Sequence, residues 1–278
     1  MPLLTLSPFV VWMTVFLTAP LLLVLIVSFC QRSAYGEIQY VFTLANYSRM
    51  LDPLFLNIGW SSFIVSLATT VLCLVLGYPF AYFIARAPKR YRIFLLMLTI
   101  IPFWTNSLVR TYAWIMLLRT EGIINSYLLA LGFVDKPLAM LYNQEAVLLG
   151  MVYTLFPFMV LPLYASIEKM DRTYLEAAAD LGANPVYSFF KVTLPLTLPG
   201  IVAGSLLVFV PTLGYFFIPD LMGGSKIMLI SNMIKNQFLT ARDWPFGSAL
   251  SIVLIVLTLA LIALYMRVLR KEKDPEVF

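Results

Sequence analysis

The side chains able to attack, titrate or coordinate are few in this sequence, and their pattern excludes most catalysis. Its 278 residues contain no histidine, two cysteines, nineteen Lys or Arg and fourteen Asp or Glu. Without histidine there is no Ser-His-Asp triad and no His-ligated metal. Cys30 and Cys73 lie in or beside apolar runs, with neither metal-ligand spacing nor a disulfide framework. No Gly-rich loop of the Walker type is present, so the chain itself is not expected to hydrolyse ATP. What remains is recognition chemistry. Trp104, Asn106, Tyr112 and Trp114 cluster in one apolar stretch, Tyr153 and Tyr164 in the next, and Tyr215 precedes Asp220. Aromatic faces attract ammonium groups, and amide or carboxylate oxygens replace their lost water, so this set suits a passage for a cation. Asp220, following Pro219 at a helix end, is the carboxylate candidate. The same aromatics also suit an interfacial belt or helix packing, and Asp220 a solvated loop; residue types alone leave both open.

The elements that must carry these residues are membrane helices. Hydrophobic residues make up 61% of the chain and charged residues only 12%, against about 45–50% and about 25% in soluble domains. A soluble enzyme and a disordered chain are excluded on that ground. The net charge of +5 points to no nucleic acid; basic residues in an apolar chain mark its cytoplasmic face. Crossing a bilayer takes about 20 apolar residues, and six stretches qualify, at about 8–30, 58–85, 93–118, 146–167, 198–219 and 245–267. The predicted fold is an all-α polytopic membrane protein, one domain over 1–278. The first stretch lacks a basic leader and a cleavage site and is expected to stay as a helix. The gap at 122–134 is too short to cross and reads as re-entrant or interfacial. The connections expected on one side carry eleven Lys and Arg, among them Arg86, Lys89, Arg90 and Arg92; those on the other side carry seven. The positive-inside bias places the first set, and both termini, in the cytoplasm, with lipid around the rest. Arg110 falls eighteen residues after Arg92, about 27 Å along a helix, where it is expected to snorkel to the outer interface or pair with an acid.

The longest polar connection, 168–197, reads as two short helices around a turn. Asp171 or Thr173 can cap the first, Gly182 can end it at positive φ, and Pro185 suits the first turn of the second. Leu175, Ala178 and Ala179 share a face of small apolar residues. Such an element either docks on another surface or lies on lipid.

Glu176-Ala177-Ala178, three residues, Gly182, nine residues and Val192-Thr193-Leu194-Pro195 resemble the EAA loop of ABC importer permeases, with Val192 for the usual Ile. The runs Pro102–Arg110, Ser166–Asp171, Asp220–Gly224 and Arg242–Gly247 resemble the spermidine/putrescine transport family of those permeases. The resemblance implies a bacterial inner-membrane importer built with a second homologous permease subunit, a dimeric cytoplasmic ATPase that holds ATP and Mg, and a periplasmic polyamine-binding protein. No cofactor is implied in this chain. Tyr174, Leu175, Glu176, Ala177, Ala178, Gly182 and Ala183 would be the ATPase contacts, and the aromatic set with Asn106 and Asp220 the substrate path. The loop pattern is shared with importers of sugars, anions, ferric iron or phosphonates, which leaves cargo open to that extent. A membrane enzyme would need a catalytic constellation that is missing, and a passive channel would need no docking loop.

Overall fold

The computed structural model describes residues 2–33 and 35–273 and is helical nearly throughout. Where no water can satisfy backbone N–H and C=O groups, each segment must bond to itself, and the helix does so. In chain order the elements are α1 (Ser7–Ser28), β1 (Gln31–Arg32), β2 (Ile38–Gln39), α2 (Ala45–Arg49), α3 (Pro53–Arg86), α4 (Lys89–Trp104) and α5 (Ser107–Leu118). They continue with α6 (Ile123–Ala130), α7 (Gln144–Glu168), α8 (Thr173–Asp180), α9 (Pro185–Gly214), α10 (Pro219–Gly223), α11 (Ile230–Leu239) and α12 (Trp244–Lys273). Among the described residues, α1, α3, α7, α9 and α12 are long and apolar enough to cross a membrane, and a sixth crossing results if the bent pair α4–α5 counts as one span. The chain groups into two units, Met1–Trp60 with Ile230–Leu264 and Ser61–Leu229 with Tyr265–Phe278. The side chains of Arg270, Lys271 and Lys273, counted above with the basic face, lie outside the described ones.

In the larger unit, α3 turns a stripe of small residues inward. Ser62, Ser66, Thr69, Cys73, Gly77 and Ala81 are buried at three- and four-residue spacing, which lets neighbouring backbones come close. Cys73, Ala81 and Ile84 of α3 pack with Leu155, Met159, Val160 and Leu163 of α7 and Val208 of α9. A second cluster joins Val65, Leu118, Val147 and Met151 to Ile218 and Met222 around α10. The tightest approach is between α7 and α9. A Cβ at Gly200 would meet the Ser166 side chain and come within 2.8 Å of the Pro162 carbonyl oxygen; one at Gly204 would lie 2.8 Å from Met159 Sδ and 3.1 Å from its carbonyl. The Gly200-x3-Gly204 spacing thus acts as a packing device. Nearby, the Tyr78 and Thr197 hydroxyls hydrogen-bond at 2.9 Å, tying α3 to α9.

Three expectations are corrected. The span at 93–118 is not one straight helix. The pair Lys89–Trp104 and Ser107–Ala130 bends by 91°, because Pro102 lacks an N–H and Asn106 starts a new helix, accepting from Leu108 N at 2.8 Å. The fifth span ends at Gly214 rather than 219; Tyr215 and Phe216 are non-helical before α10 begins. The second short helix of the 168–197 connection is not separate. Residues 185–214 form one helical run with a π-helical stretch at Phe189–Thr193, which absorbs the missing donor of Pro195 by widening the turn ahead of it.

In the smaller unit, Asn46 Nδ2 donates to the carbonyls of Ser28 and Cys30, both at 2.9 Å, filling acceptors that the end of α1 leaves open. Arg49 forms an ion pair with Asp243 at 2.7 Å and lies 4.1 Å from the Phe246 ring centroid. Asp243 also accepts from Phe246 N at 3.2 Å, so the start of α12 is capped by a paired carboxylate.

The glycine contact gives a direct test. Gly204→Leu forces a side chain into the space of Met159, an overpacking that costs about 1–3 kcal/mol. The detergent-solubilised protein should unfold several degrees lower in a thermal ramp, whereas Gly214→Leu, with nothing within 4 Å of its Cβ position, should not change the midpoint.

Candidate coupling loop and solute path

The connection between α7 and α9 is built from tight local bonds and buries little. Asp171 is the capping residue: its Oδ1 accepts from Thr173 N at 3.0 Å and from Thr173 Oγ1 at 2.6 Å. These two bonds, the side-chain one first, hold its carboxyl below the usual carboxylate range, since both favour the charged acceptor. At the other end, Gly182 adopts φ +80°. Gly182 N donates to Ala179 O and Ala183 N to Ala178 O, both at 2.9 Å, the paired closure by which a left-handed glycine satisfies the last carbonyls of a helix. Asn184 then caps α9, accepting from Tyr187 N at 2.8 Å, with Pro185 in its first turn.

No residue of α8 is buried. Tyr174, Glu176 and Ala177 are exposed, Leu175 and Ala178 half-buried, and Leu181 is 89% exposed beside exposed Val186 and Tyr187. Ala178, Leu181, Gly182, Ala183, Asn184, Tyr187 and Val192 line an open hollow of about 600 Å³. A capped helix that keeps its fold without a covered face is shaped to be covered by something else. Its ends are held close to α7 and α9 by connectors of four residues each, 169–172 and 181–184. Where α7 ends, Arg92 Nη1 pairs with Glu168 Oε1 at 3.1 Å.

The eight path candidates separate. Trp114 and Tyr153 come together, stacking edge-to-face at 5.4 Å. Tyr215, half-buried, packs against both clusters of the larger unit. Trp104 is 85% exposed at the bend, and Tyr112 lies on the exposed face of α5 with Leu108 and Met116. Neither joins the others among the described residues. The Asn106 side-chain oxygen is already used as the cap of α5. Tyr164 stands against the Arg92–Glu168 pair at the end of α7 instead. Asp220 is half-buried in α10, its N–H bonded to Phe216 O at 3.1 Å.

Arg110 was expected to snorkel or pair with an acid. Its Nε and Nη1 are buried and meet no hydrogen-bond partner among the described residues. The guanidinium carbon instead lies 4.8 Å from the Phe103 centroid and 5.9 Å from that of Tyr153. The stacking is not legible in the sequence, because Phe103 reaches Arg110 from the other side of the bend and Tyr153 reaches it from α7.

Residues 77–272 match the family described as binding-protein-dependent transport system inner membrane component. The chain is 49% identical over 259 residues to the spermidine/putrescine transport system permease protein PotB of Salmonella typhimurium strain SL1344, covering 93% of this chain and 90% of that one. It is 48% identical to the protein of the same description from Escherichia coli strain K12, covering 93% and 94%. A bacterial alginate ABC transporter, solved in complex with its pentasaccharide-bound periplasmic protein, superposes with a TM-score of 0.72 over 98% of this chain and 95% of its own; at 18% identity the likeness is one of fold.

The cap at Asp171 sets a pH sign. A carboxyl held below its ordinary pKa contributes above that value and loses the contribution only as pH falls through the lowered one. Amide exchange over Thr173–Glu176 should therefore be unchanged in protection from pH 8 to pH 5, and Asp171→Ala should speed it throughout that range. Protection lost near pH 6 in the unsubstituted protein would contradict the assignment.

Proposed function

This chain belongs to the family of binding-protein-dependent transport system inner membrane components, and from that membership we propose that it passes polyamines, spermidine and putrescine, from periplasm to cytoplasm as a permease subunit of an ATP-driven ABC importer. The observation that carries the cargo is the 48–49% identity, over 93% of this chain, to permeases of spermidine/putrescine transport systems. The gathered Trp114 and Tyr153 rings agree with it, since they offer faces rather than ions to a flexible cation.

The importer is completed by a second homologous permease, a cytoplasmic ATPase dimer and a periplasmic polyamine-binding protein. Nucleotide and magnesium belong to the ATPase. Both termini and α8 face the cytoplasm, in keeping with the basic residues at 86–92, 169–191 and 267–273. Tyr174, Leu175, Glu176, Ala177, Ala178, Gly182 and Ala183 seat on the ATPase. When the ATPase dimer closes, α8 moves with it, and its four-residue tethers pass the displacement to α7 and α9. Those two helices are locked by Gly200 and Gly204 and shift together. The bundle then exchanges an inward for an outward opening, an equilibrium between two packings biased by partner contacts.

Two substitutions and one purified chain test this. Gly182→Asp puts a side chain at φ +80°, and Glu176→Arg reverses a charge on the docking face. Each should cut ATP-driven spermidine uptake by the assembled importer at least tenfold, by uncoupling hydrolysis or by preventing assembly. Purified alone, the chain should hydrolyse no ATP. Normal uptake by both variants would overturn the role of the loop, and uptake that unlabelled spermidine and putrescine fail to compete would overturn the cargo.

A further inference from the structure

Around the bend between α4 and α5, aromatic rings form a row: Phe158 stacks edge-to-face on Phe103 at 5.2 Å, and Trp114 on Tyr153 at 5.4 Å. The Arg110 guanidinium lies between the two pairs, on Phe103 and Tyr153. It is held there by ring faces, while its Nε and Nη1 are buried without acceptors among the described residues. The placement is costly in two further ways. Arg110 is in the first turn of α5, where the helix dipole is positive and disfavours a cation, and Ser107 Oγ in the same turn is also buried without a partner among the described residues. A guanidinium with idle donors beside an apolar bend is retained only weakly by its surroundings.

We propose that Arg110 is a tethered stand-in for the transported cation, occupying the aromatic site made by Phe103 and Tyr153 at rest and leaving it when an ammonium group of the substrate enters. This rests on the polyamine reading and adds to it a residue that sets selectivity. One aromatic box cannot hold two unit charges, because their repulsion in a low-dielectric site exceeds the gain from the rings. A resident cation therefore bars small inorganic cations, which bring a single charge and a strongly held hydration shell. A polyamine delivered at high local concentration brings several ammonium groups joined by methylenes that the surrounding aromatic and apolar wall accepts. The bend gives the displaced side chain somewhere to go, since Trp104 and Thr105 beside it are exposed.

The test uses the complete importer in proteoliposomes. With wild-type protein, ATP-driven spermidine uptake establishes the underlying reading; no uptake would remove that reading and this inference with it. Given uptake, Arg110→Gln should lower the spermidine KM about tenfold, the competing cation being gone, and should open an ATP-independent rubidium-ion flux. Arg110→Lys should restore a KM near wild type and a tight membrane. A KM unchanged or raised in an assembled Arg110→Gln importer, or no added rubidium flux, overturns the proposal while leaving the polyamine reading intact. Where that variant fails to assemble, the wild-type complex answers instead. Phenylglyoxal modification of Arg110, located by mass spectrometry, should be slow at rest and accelerate with spermidine-loaded binding protein and ATP. Equal protection in both states, as a fixed pairing with a neighbouring subunit would give, overturns it.

Discussion

The close approach of α7 and α9 is the constraint on which the rest of the larger unit depends. At Gly200 and Gly204 the two backbones are near enough that a single methyl group has no room against Ser166, the Pro162 carbonyl or Met159. In lipid there is no hydrophobic gain from burying one apolar helix against another, so van der Waals contact at such points decides which helices stay together. The pair spans both sides of α8, which is why a helix with no buried residue of its own still has a fixed place. Force applied to α8 has two short tethers and one rigid pair through which to act.

Elsewhere the fold follows from how each interrupted helix satisfies its backbone. Proline removes a donor wherever it enters a helix. At 195 a π-helical stretch absorbs the defect and the helix continues; at 102 the helix tightens into a last turn that ends at Trp104, and Asn106 begins another at 91°. The second outcome brings Arg110, Phe103, Tyr153 and Trp114 into one neighbourhood. A straight span would have left Arg110 near an interface with water to hydrate it.

Much of this is legible in the residues. Uncharged runs long enough to cross a bilayer located the long helices, because charge burial in lipid is costly whatever the fold. Gly182 and Pro185 marked the end of one helix and the start of the next for reasons local to each residue, and both act as their types require. The choice between Asp171 and Thr173 as cap was not legible, since both have suitable oxygens and only geometry selects Asp171. The sharpness of the bend after Pro102 was not legible, because an apolar stretch long enough to cross reads the same whether straight or broken. The path candidates separated for a similar reason: Tyr112 and Trp114 are two residues apart and face opposite ways, one outward and one toward Tyr153. Asn46 and Arg49 drew no attention because their partners, at Ser28, Cys30 and Asp243, are not implied by any short-range pattern.

The central claim is that α8 is gripped by a separate nucleotide-hydrolysing subunit. Site-specific cross-linking from Ala177→Cys, on the exposed face of α8, tests it most directly in membranes that contain the assembled importer. A short thiol-reactive photocrosslinker at that position should yield one dominant adduct, with the ATPase, whose yield changes when nucleotide is added. Adducts with lipid alone, or with no ATPase subunit in either nucleotide state, would contradict the account.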